Sequence, residues 1–304
     1  MDISIVFQQM LILVILMGIG FLVRRLHLVD ATANTYLTKL LLKVTLPATM
    51  LTAVSGSTIE VPIVTVLFLF AVIFLSFFIM GVLSFIAPWA MRAKRDESGA
   101  YAALGLFGNV NFMGIPLSFA LFGPDGMFYA VLYNIVFNLL IFSLGMKLIG
   151  GKKAKISARF FFTPVMISAV LAVVLFLLEI QLPYVIYRSG RLLGGITSPL
   201  AMLLLGSILG GMNFKEMFRG WRVYGISLVR LIIAPIAVYF ILAPFPISPL
   251  FLSVLVVMSA SPMAISTATF TILYERHEEV VGKGIFISTL FSVFTMPFVV
   301  SFLL

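Results

Sequence analysis

Ten long apolar stretches constrain this chain more than any other feature. They fall near residues 5–23, 33–53, 62–90, 99–121, 126–146, 162–180, 190–210, 221–243, 249–273 and 282–303. A helix needs about 20 largely apolar residues to cross the hydrocarbon core of a bilayer. These stretches are continuously apolar and lack the ten-residue alternation of barrel strands, so they read as helices. The expected fold class is an all-α integral membrane protein with ten transmembrane helices. Composition agrees, with 62% of residues hydrophobic and 10% charged, against roughly half and a quarter in a soluble domain. A soluble globule, a disordered chain and a nucleic-acid binder are excluded, the last despite a net charge of +9. The absence of cysteine removes disulfides, thiolate metal sites and cysteine nucleophiles.

The basic residues explain that charge. Arg24 and Arg25 follow span one, and Arg92, Lys94 and Arg95 follow span three. Lys147, Lys152, Lys153, Lys155 and Arg159 follow span five. Lys215, Arg219 and Arg222 follow span seven, and Arg276 and Lys283 follow span nine. The loops after odd spans thus hold fifteen of the 20 basic residues, while the even loops hold only Arg188 and Arg191. The positive-inside rule places the odd loops in the cytoplasm and both termini outside. A multi-pass protein of the cell membrane is expected. Span one lacks the basic lead and small-residue cleavage site of a signal peptide, and reads as a retained helix.

The longest basic loop, near 147–161, divides the chain into five-helix halves, 1–150 and 151–304. An odd number of crossings forces the halves to insert with opposite orientation, the inverted-repeat plan of many secondary transporters. Two local matches support a repeat. Thr45-Leu-Pro47-Ala-Thr-Met50 in span two and Thr197-Ser-Pro199-Leu-Ala-Met202 in span seven share T-x-P-x-x-M. Gly114-Ile-Pro116 in span four corresponds to Ala260-Ser261-Pro262 in span nine.

Spans four and nine carry the features of broken helices. Pro116 cannot donate a backbone bond to Phe112, and its ring crowds the preceding turn. Gly108 and Gly114 loosen the same segment, beside Asn109 and Asn111. Span nine offers Ser259 and Ser261 before Pro262, then Ser266, Thr267 and Thr269. Broken backbone in a membrane is tolerated only where it is buried or lines a cavity. Paired interrupted helices in two halves point to a transport site. Pro116 and Pro262 are expected to end half-helices that cross, with Asn109, Asn111, Gly114, Ser259 and Ser261 around a bound ligand.

The run GNVNFMGIPLSFALFG at 108–123 resembles the fourth-helix motif of the auxin efflux carrier family, which includes plant auxin carriers and bacterial malate and malonate permeases. SASPMAISTATFTILYE at 259–275 and KVTLPATML at 43–51 are similar to its ninth and second helices. The long cytoplasmic loop of some plant members is missing, as in compact bacterial forms. The resemblance implies a carrier of small organic anions, without cofactor or metal. It implies a scaffold of helices 1, 2, 6 and 7 that also forms a homodimer interface. Helices 3–5 and 8–10 would form a mobile transport domain with elevator-like motion, and helices four and nine would cross inside it.

Three cations lie within the spans: Lys39, Lys43 and Arg230. No Asp or Glu falls near mid-membrane, since Glu60, Asp125 and Glu179 lie at outer ends. A cation in lipid costs roughly 2.5–3.5 kcal/mol on insertion scales, so each invites a partner, and an unmatched positive interior suits an anionic substrate. Lys39 is expected to snorkel to the cytoplasmic interface. Lys43, one turn deeper, stands open between anion contact and pairing with carbonyls. Arg230 is expected to pair with carbonyls of a broken helix. Asn134 and Asn138 on span five, and Ser288, Thr289 and Ser292 on span ten, suit hydrogen bonds between helices. Gly190-x-x-x-Gly194 and Gly206-x-x-x-Gly210 suit close helix packing.

Other functions fit less well. An intramembrane protease needs paired acids, Ser with His, or a zinc motif, and none lies within the spans. A nucleotide-driven pump needs a phosphate loop, yet Gly151 stands where its lysine would be. A channel has no need of two inverted broken helices. A sodium-coupled bile-acid-type organic anion symporter shares the crossed-helix plan and is the alternative reading.

Overall fold

A computed structural model describes residues 3–54, 62–154, 162–178, 180–211 and 217–303. Glu60, Lys155, Arg159, Glu179 and Lys215 lie outside the described residues. Helices account for the regular structure, and no β-strand occurs among the described residues. In chain order they are α1 (Ile3–Arg25), α2 (Ala31–Leu40), α3 (Leu46–Val54), α4 (Ile63–Ala90) and α5 (Ser98–Leu106). Next come α6 (Ile115–Leu140), α7 (Met146–Gly150), α8 (Pro164–Leu177), α9 (Tyr184–Gly195) and α10 (Thr197–Gly210). The last are α11 (Trp221–Leu228), α12 (Ala234–Leu242), α13 (Pro249–Ala260), α14 (Ser266–Tyr274) and α15 (Glu278–Leu303). Helix occupies each of the apolar stretches read from the sequence. Among the described residues, five continuous helical stretches are long and apolar enough to cross a membrane: Val64–Ala90, Val110–Lys153, Tyr184–Gly210, Trp221–Leu242 and Glu278–Leu303.

Polar residues in the connections start several helices. The Asp30 side chain accepts from Ala33 N at 2.7 Å ahead of α2. Thr163 Oγ1 accepts from Met166 N at 3.3 Å and Ser248 Oγ from Phe251 N at 3.1 Å, each followed by proline at the first helical position. These are the donors that a helix start leaves unsatisfied, and proline there has no N–H to waste. Between spans four and five, Gly123 adopts φ 63° and ψ −152° within α6. Only glycine tolerates that backbone, so the chain turns at Gly123-Pro124.

Among the described residues, wide, π-type turns interrupt the helical runs at Leu41–Thr45, Val110–Gly114, Ile141–Gly145 and Val229–Ile233, four in all. Three are followed two residues later by proline: Pro47, Pro116 and Pro235. Each proline lacks the N–H for an i→i−4 bond, and its ring presses on the carbonyl four residues back. Inserting one extra residue into that turn relieves the clash while the helix continues. Such turns recur at functional sites, and here they hold Lys43, Asn111 and Arg230.

The chain divides into two compact units, each drawing on both halves of the sequence. One comprises Met1–Phe70, Asn111–Ile135 and Phe162–Met212. In it α1 lies along α10 so closely that a β-carbon on Gly20 would sit 2.1 Å from the Leu203 carbonyl oxygen, and one on Gly206 1.8 Å from that of Met17. The second glycine motif works against α3, where a β-carbon on Gly190 would meet Thr52 Cγ2 at 2.5 Å. Thr49 Oγ1 then bonds the Gly194 carbonyl at 3.1 Å and Thr197 Oγ1 at 2.7 Å. The other unit comprises Ala71–Val110, Val136–Phe161 and Asn213–Leu304. Its core includes α11 through α15 with α5.

Candidate functional site

The second unit contains a crossing of two broken helices. α5 ends at Leu106, and Phe107 turns extended at φ −98°, ψ 117°. α13 ends at Ala260, capped by Ser261 at φ −58°, ψ 140°, immediately before Pro262. The two breaks then meet as a short antiparallel bridge centred on Gly108 and Met263. Asn109 N donates to the Pro262 carbonyl at 2.6 Å, and Ala264 N donates to the Phe107 carbonyl at 2.9 Å. Met263 N donates to Ser288 Oγ at 3.1 Å. Backbone freed by one break is thus satisfied by the other, as a low-dielectric interior demands.

Arg230 holds this crossing from beneath. It sits in the wide turn between α11 and α12 and is completely buried. Its Nε donates to the Ser261 carbonyl at 2.9 Å and Nη2 to that of Met258 at 3.2 Å. Nη1 reaches the Leu106 carbonyl at 3.0 Å, that of Gly105 at 3.4 Å and Met80 Sδ at 3.3 Å. These oxygens are the C-terminal ends of α5 and α13. Each helix end carries roughly half a negative charge, so one guanidinium balances two of them. The expected pairing of Arg230 with broken-helix carbonyls is what the geometry contains, and it engages both helices.

Gly108 makes that arrangement possible. A β-carbon there would lie 1.9 Å from Arg230 Nη2 and 3.3 Å from Ser261 Cβ. The half-helices that leave the crossing begin at Val110 and Ser266. Their N-terminal ends present the positive end of the helix dipole. Asn109 is 3% exposed, and its Nδ2 has no hydrogen-bond partner among the described residues. No carboxylate is buried among the described residues.

The remaining predicted residues divide as follows. Ser259 and Ser261 are fully buried, but their hydroxyls donate back into α13, to Val256 O at 2.9 Å and Val257 O at 3.2 Å. Pro262 contributes its carbonyl to the bridge. Pro116 departs from expectation: the break lies at 107–109, and Pro116 sits inside the following half-helix, where it widens a turn instead of ending a helix. Asn138 is buried at 3% exposure.

In the first unit, Asn134 Nδ2 donates to Asn111 Oδ1 at 2.8 Å, which leaves the Asn111 amide to act as a donor. Gly114 and Pro116 are buried just beyond it. Pro47 and Pro199 are half-buried near the Thr49–Thr197 contact. Lys43 is exposed in its wide turn, and Lys39 is exposed with its ammonium 5.4 Å from the Tyr36 ring.

Sequence reasoning missed the partners that complete the crossing: Phe107, Met263, Met80 and the cradle role of Gly108. Ser288, which the sequence offers only as a helix–helix contact, accepts from Met263 N at the crossing. A hollow of about 710 Å³ in the second unit lies elsewhere, lined by Phe74, Phe78, Val82, Phe85, Leu140 and Leu144 among others. It is apolar throughout and offers an anion no donor.

Broken helices crossing over a buried guanidinium, in an all-helical apolar chain, define a membrane transport protein. The model of the membrane transport protein family matches residues 5–300, and the chain belongs to this family, that of the auxin efflux carriers. It is 26% identical to an uncharacterized transporter of Methanocaldococcus jannaschii, over 93% of this chain and 94% of the relative. A second uncharacterized transporter, from Methanothermobacter thermautotrophicus, is also 26% identical, over 95% of this chain and 96% of the relative.

Proposed function

We propose that this protein is a secondary carrier that moves a small organic anion, a carboxylate, across the cell membrane. Ten crossings, with both termini outside and two inverted five-helix repeats, agree with the alternation of basic loops. Helices 1, 2, 6 and 7 serve as a scaffold and homodimer interface, and helices 3–5 and 8–10 as the moving part of an elevator. Helices 1, 2, 6 and 7 fall in one compact unit and helices 8–10 in the other, in keeping with that assignment, while residues 111–135 of helices four and five group with the first.

The carrying observation is the charge balance at the crossing. Arg230 offsets the C-terminal ends of α5 and α13. The N-terminal ends of the departing half-helices remain, each worth roughly half a positive charge. Exposed N–H groups at such ends bind carboxylates, and the buried Asn109 amide adds a donor that has no partner among the described residues. Within the first unit, the Asn111 amide oriented by Asn134, and Lys43 exposed at a wide turn, are further donors suited to an anion.

The test is uptake of labelled mono- and dicarboxylates into proteoliposomes. A carrier gives saturable uptake of at least one carboxylate and competition by others. Uptake linear in concentration, or none for the whole panel, would overturn the proposal.

A further inference from the structure

The apolar hollow of the second unit runs along one face of α4, from Phe74 to Ile86. That advance of twelve residues is about 18 Å of helix. It is close to the depth of one leaflet, roughly half of a 30 Å hydrocarbon core. Phe74, Phe78, Val82 and Ile86 are between 42% and 67% exposed, so the hollow opens on the surface. Gly81 adds no side chain, which deepens it beside Leu106. Lipid tails are as apolar as these side chains, so a tail is chosen here by shape, and selectivity has to come from where the face ends. Trp89, four residues after Phe85 and on the same face, is 79% exposed in the last turn of α4. Trp221, the chain's other tryptophan, is 62% exposed at the start of α11. Tryptophan marks the bilayer interface. Arg222 joins the two places. Its Nε donates to the Met91 carbonyl at 3.2 Å and Nη2 to that of Arg92 at 3.1 Å, and its guanidinium lies 5.4 Å from the Trp221 ring centre. Carbonyls hold a guanidinium in place without cancelling its charge. Arg92 is exposed beside it. The nearby acids engage other cations, Glu97 with Lys94 at 3.7 Å and Asp96 with Arg276.

We infer that this hollow is a binding site for one anionic phospholipid, with an acyl chain along α4 between Phe74 and Ile86 and the phosphate at Arg92 and Arg222. Guanidinium groups match phosphate oxygens in charge and in fork geometry. Cations at a membrane surface favour anionic over zwitterionic headgroups. The tail also reaches the crossing. Leu106 lines the hollow, while its carbonyl accepts from Arg230, so the lipid packs against a helix end that the crossing uses.

The experiment is native mass spectrometry of the delipidated full-length protein in detergent, titrated with dioleoylphosphatidylglycerol and with dioleoylphosphatidylcholine. One phosphatidylglycerol should bind per chain, about tenfold or more tighter than phosphatidylcholine, given two arginines at the headgroup. Val82→Trp fills the hollow from an exposed position and should weaken phosphatidylglycerol at least about fivefold through lost tail contacts. Arg92 has φ 49°, a backbone that asparagine tolerates. Arg92→Asn should weaken phosphatidylglycerol by about fivefold and leave phosphatidylcholine unchanged. If Val82→Trp does not accumulate, Ile86→Trp, also exposed on the lining, decides in the same way. Equal affinity for the two lipids would overturn the inference, as would phosphatidylglycerol binding untouched by the tryptophan variant. Displacement by oleate as effective as by phosphatidylglycerol would assign the hollow to a fatty acid and overturn it too. A dimer that the tryptophan variant converts to monomer, with lipid binding intact, would assign the hollow to a second copy of the chain instead. None of these readings needs a transported substrate, so they are separate from the carboxylate uptake test.

Discussion

A β-carbon on Gly108 would lie 1.9 Å from Nη2 of Arg230. The two residues come from different helices and from opposite halves of the chain, yet neither can change without the other. Arg230 is fully buried and fixed by four carbonyls, so it cannot swing aside. Gly108→Ala should therefore destabilise the protein by about 3 kcal/mol or more, at the upper end of overpacking costs. Thermal unfolding of the purified variant checks this. Gly18→Ala, where a β-carbon meets nothing within 4 Å, is the matched control and should be near neutral.

Removing the guanidinium has a larger effect than crowding it. Arg230→Met deletes the charge that satisfies the ends of α5 and α13 and leaves buried carbonyls without donors. Breaking one side of a buried charge arrangement costs about 3–5 kcal/mol. Arg230→Met should melt well below Gly108→Ala, and chemical denaturation of both in one detergent gives the order.

Pro116 widens the turn that contains Asn111. Pro116→Ala restores a backbone donor and allows an ordinary α turn, which rotates Asn111 relative to Asn134. The variant should insert and fold as well as wild type, or better, while its transport rate falls at least about tenfold, as misplacement of a ligand group by an ångström does. Uptake measured against protein amount in the membrane separates these effects.

His277 supplies a pH dependence away from the crossing. Burial, followed by the neighbouring Arg276 charge, holds its imidazole below the usual value of 6.5, against the opposing pull of Asp96 and Glu97. Asp96 Oδ2 lies 4.0 Å from its Nε2, and Asp96 also pairs with Arg276. A histidine with a lowered folded pKa favours the folded state while neutral, so its contribution is present above the unfolded value of 6.5 and is lost as pH falls below it and through the lowered folded pKa. Melting temperature should drop between about pH 7.5 and pH 5.5, and His277→Gln should flatten that drop.

Much of this was legible in the sequence because membrane solvation leaves few options. Apolar runs of spanning length had to be helical, and each is. Pro262 after Ser261 marks the second break correctly in position, whereas the first lies at 107–109, well ahead of the Pro116 expected to end that half-helix. Arg230 was traceable because a buried cation must find oxygen. Pro116 misled, since proline in a helix has two outcomes, ending it or widening the turn before it. The recurrence of Pro47, Pro116 and Pro235 two residues after wide turns shows that widening is this chain's habit. Gly108 against Arg230 was not legible at all, because the contact joins residues 122 positions apart through a side-chain path that no local pattern records. Sequence places Ser259 and Ser261 at the break without saying where their hydroxyls point, and in the structure both donate to the turn before them.

The proposed carboxylate site at the crossing turns on the buried Asn109 amide. The most direct measurement is calorimetric binding of the best-transported carboxylate to purified wild type and to Asn109→Leu, a replacement of similar volume without donors. A hydrogen bond to a charged group is worth roughly 1.5–3 kcal/mol, so the variant should bind about tenfold to a hundredfold more weakly with melting nearly unchanged. Equal affinity of the two proteins for the carboxylate would contradict the account.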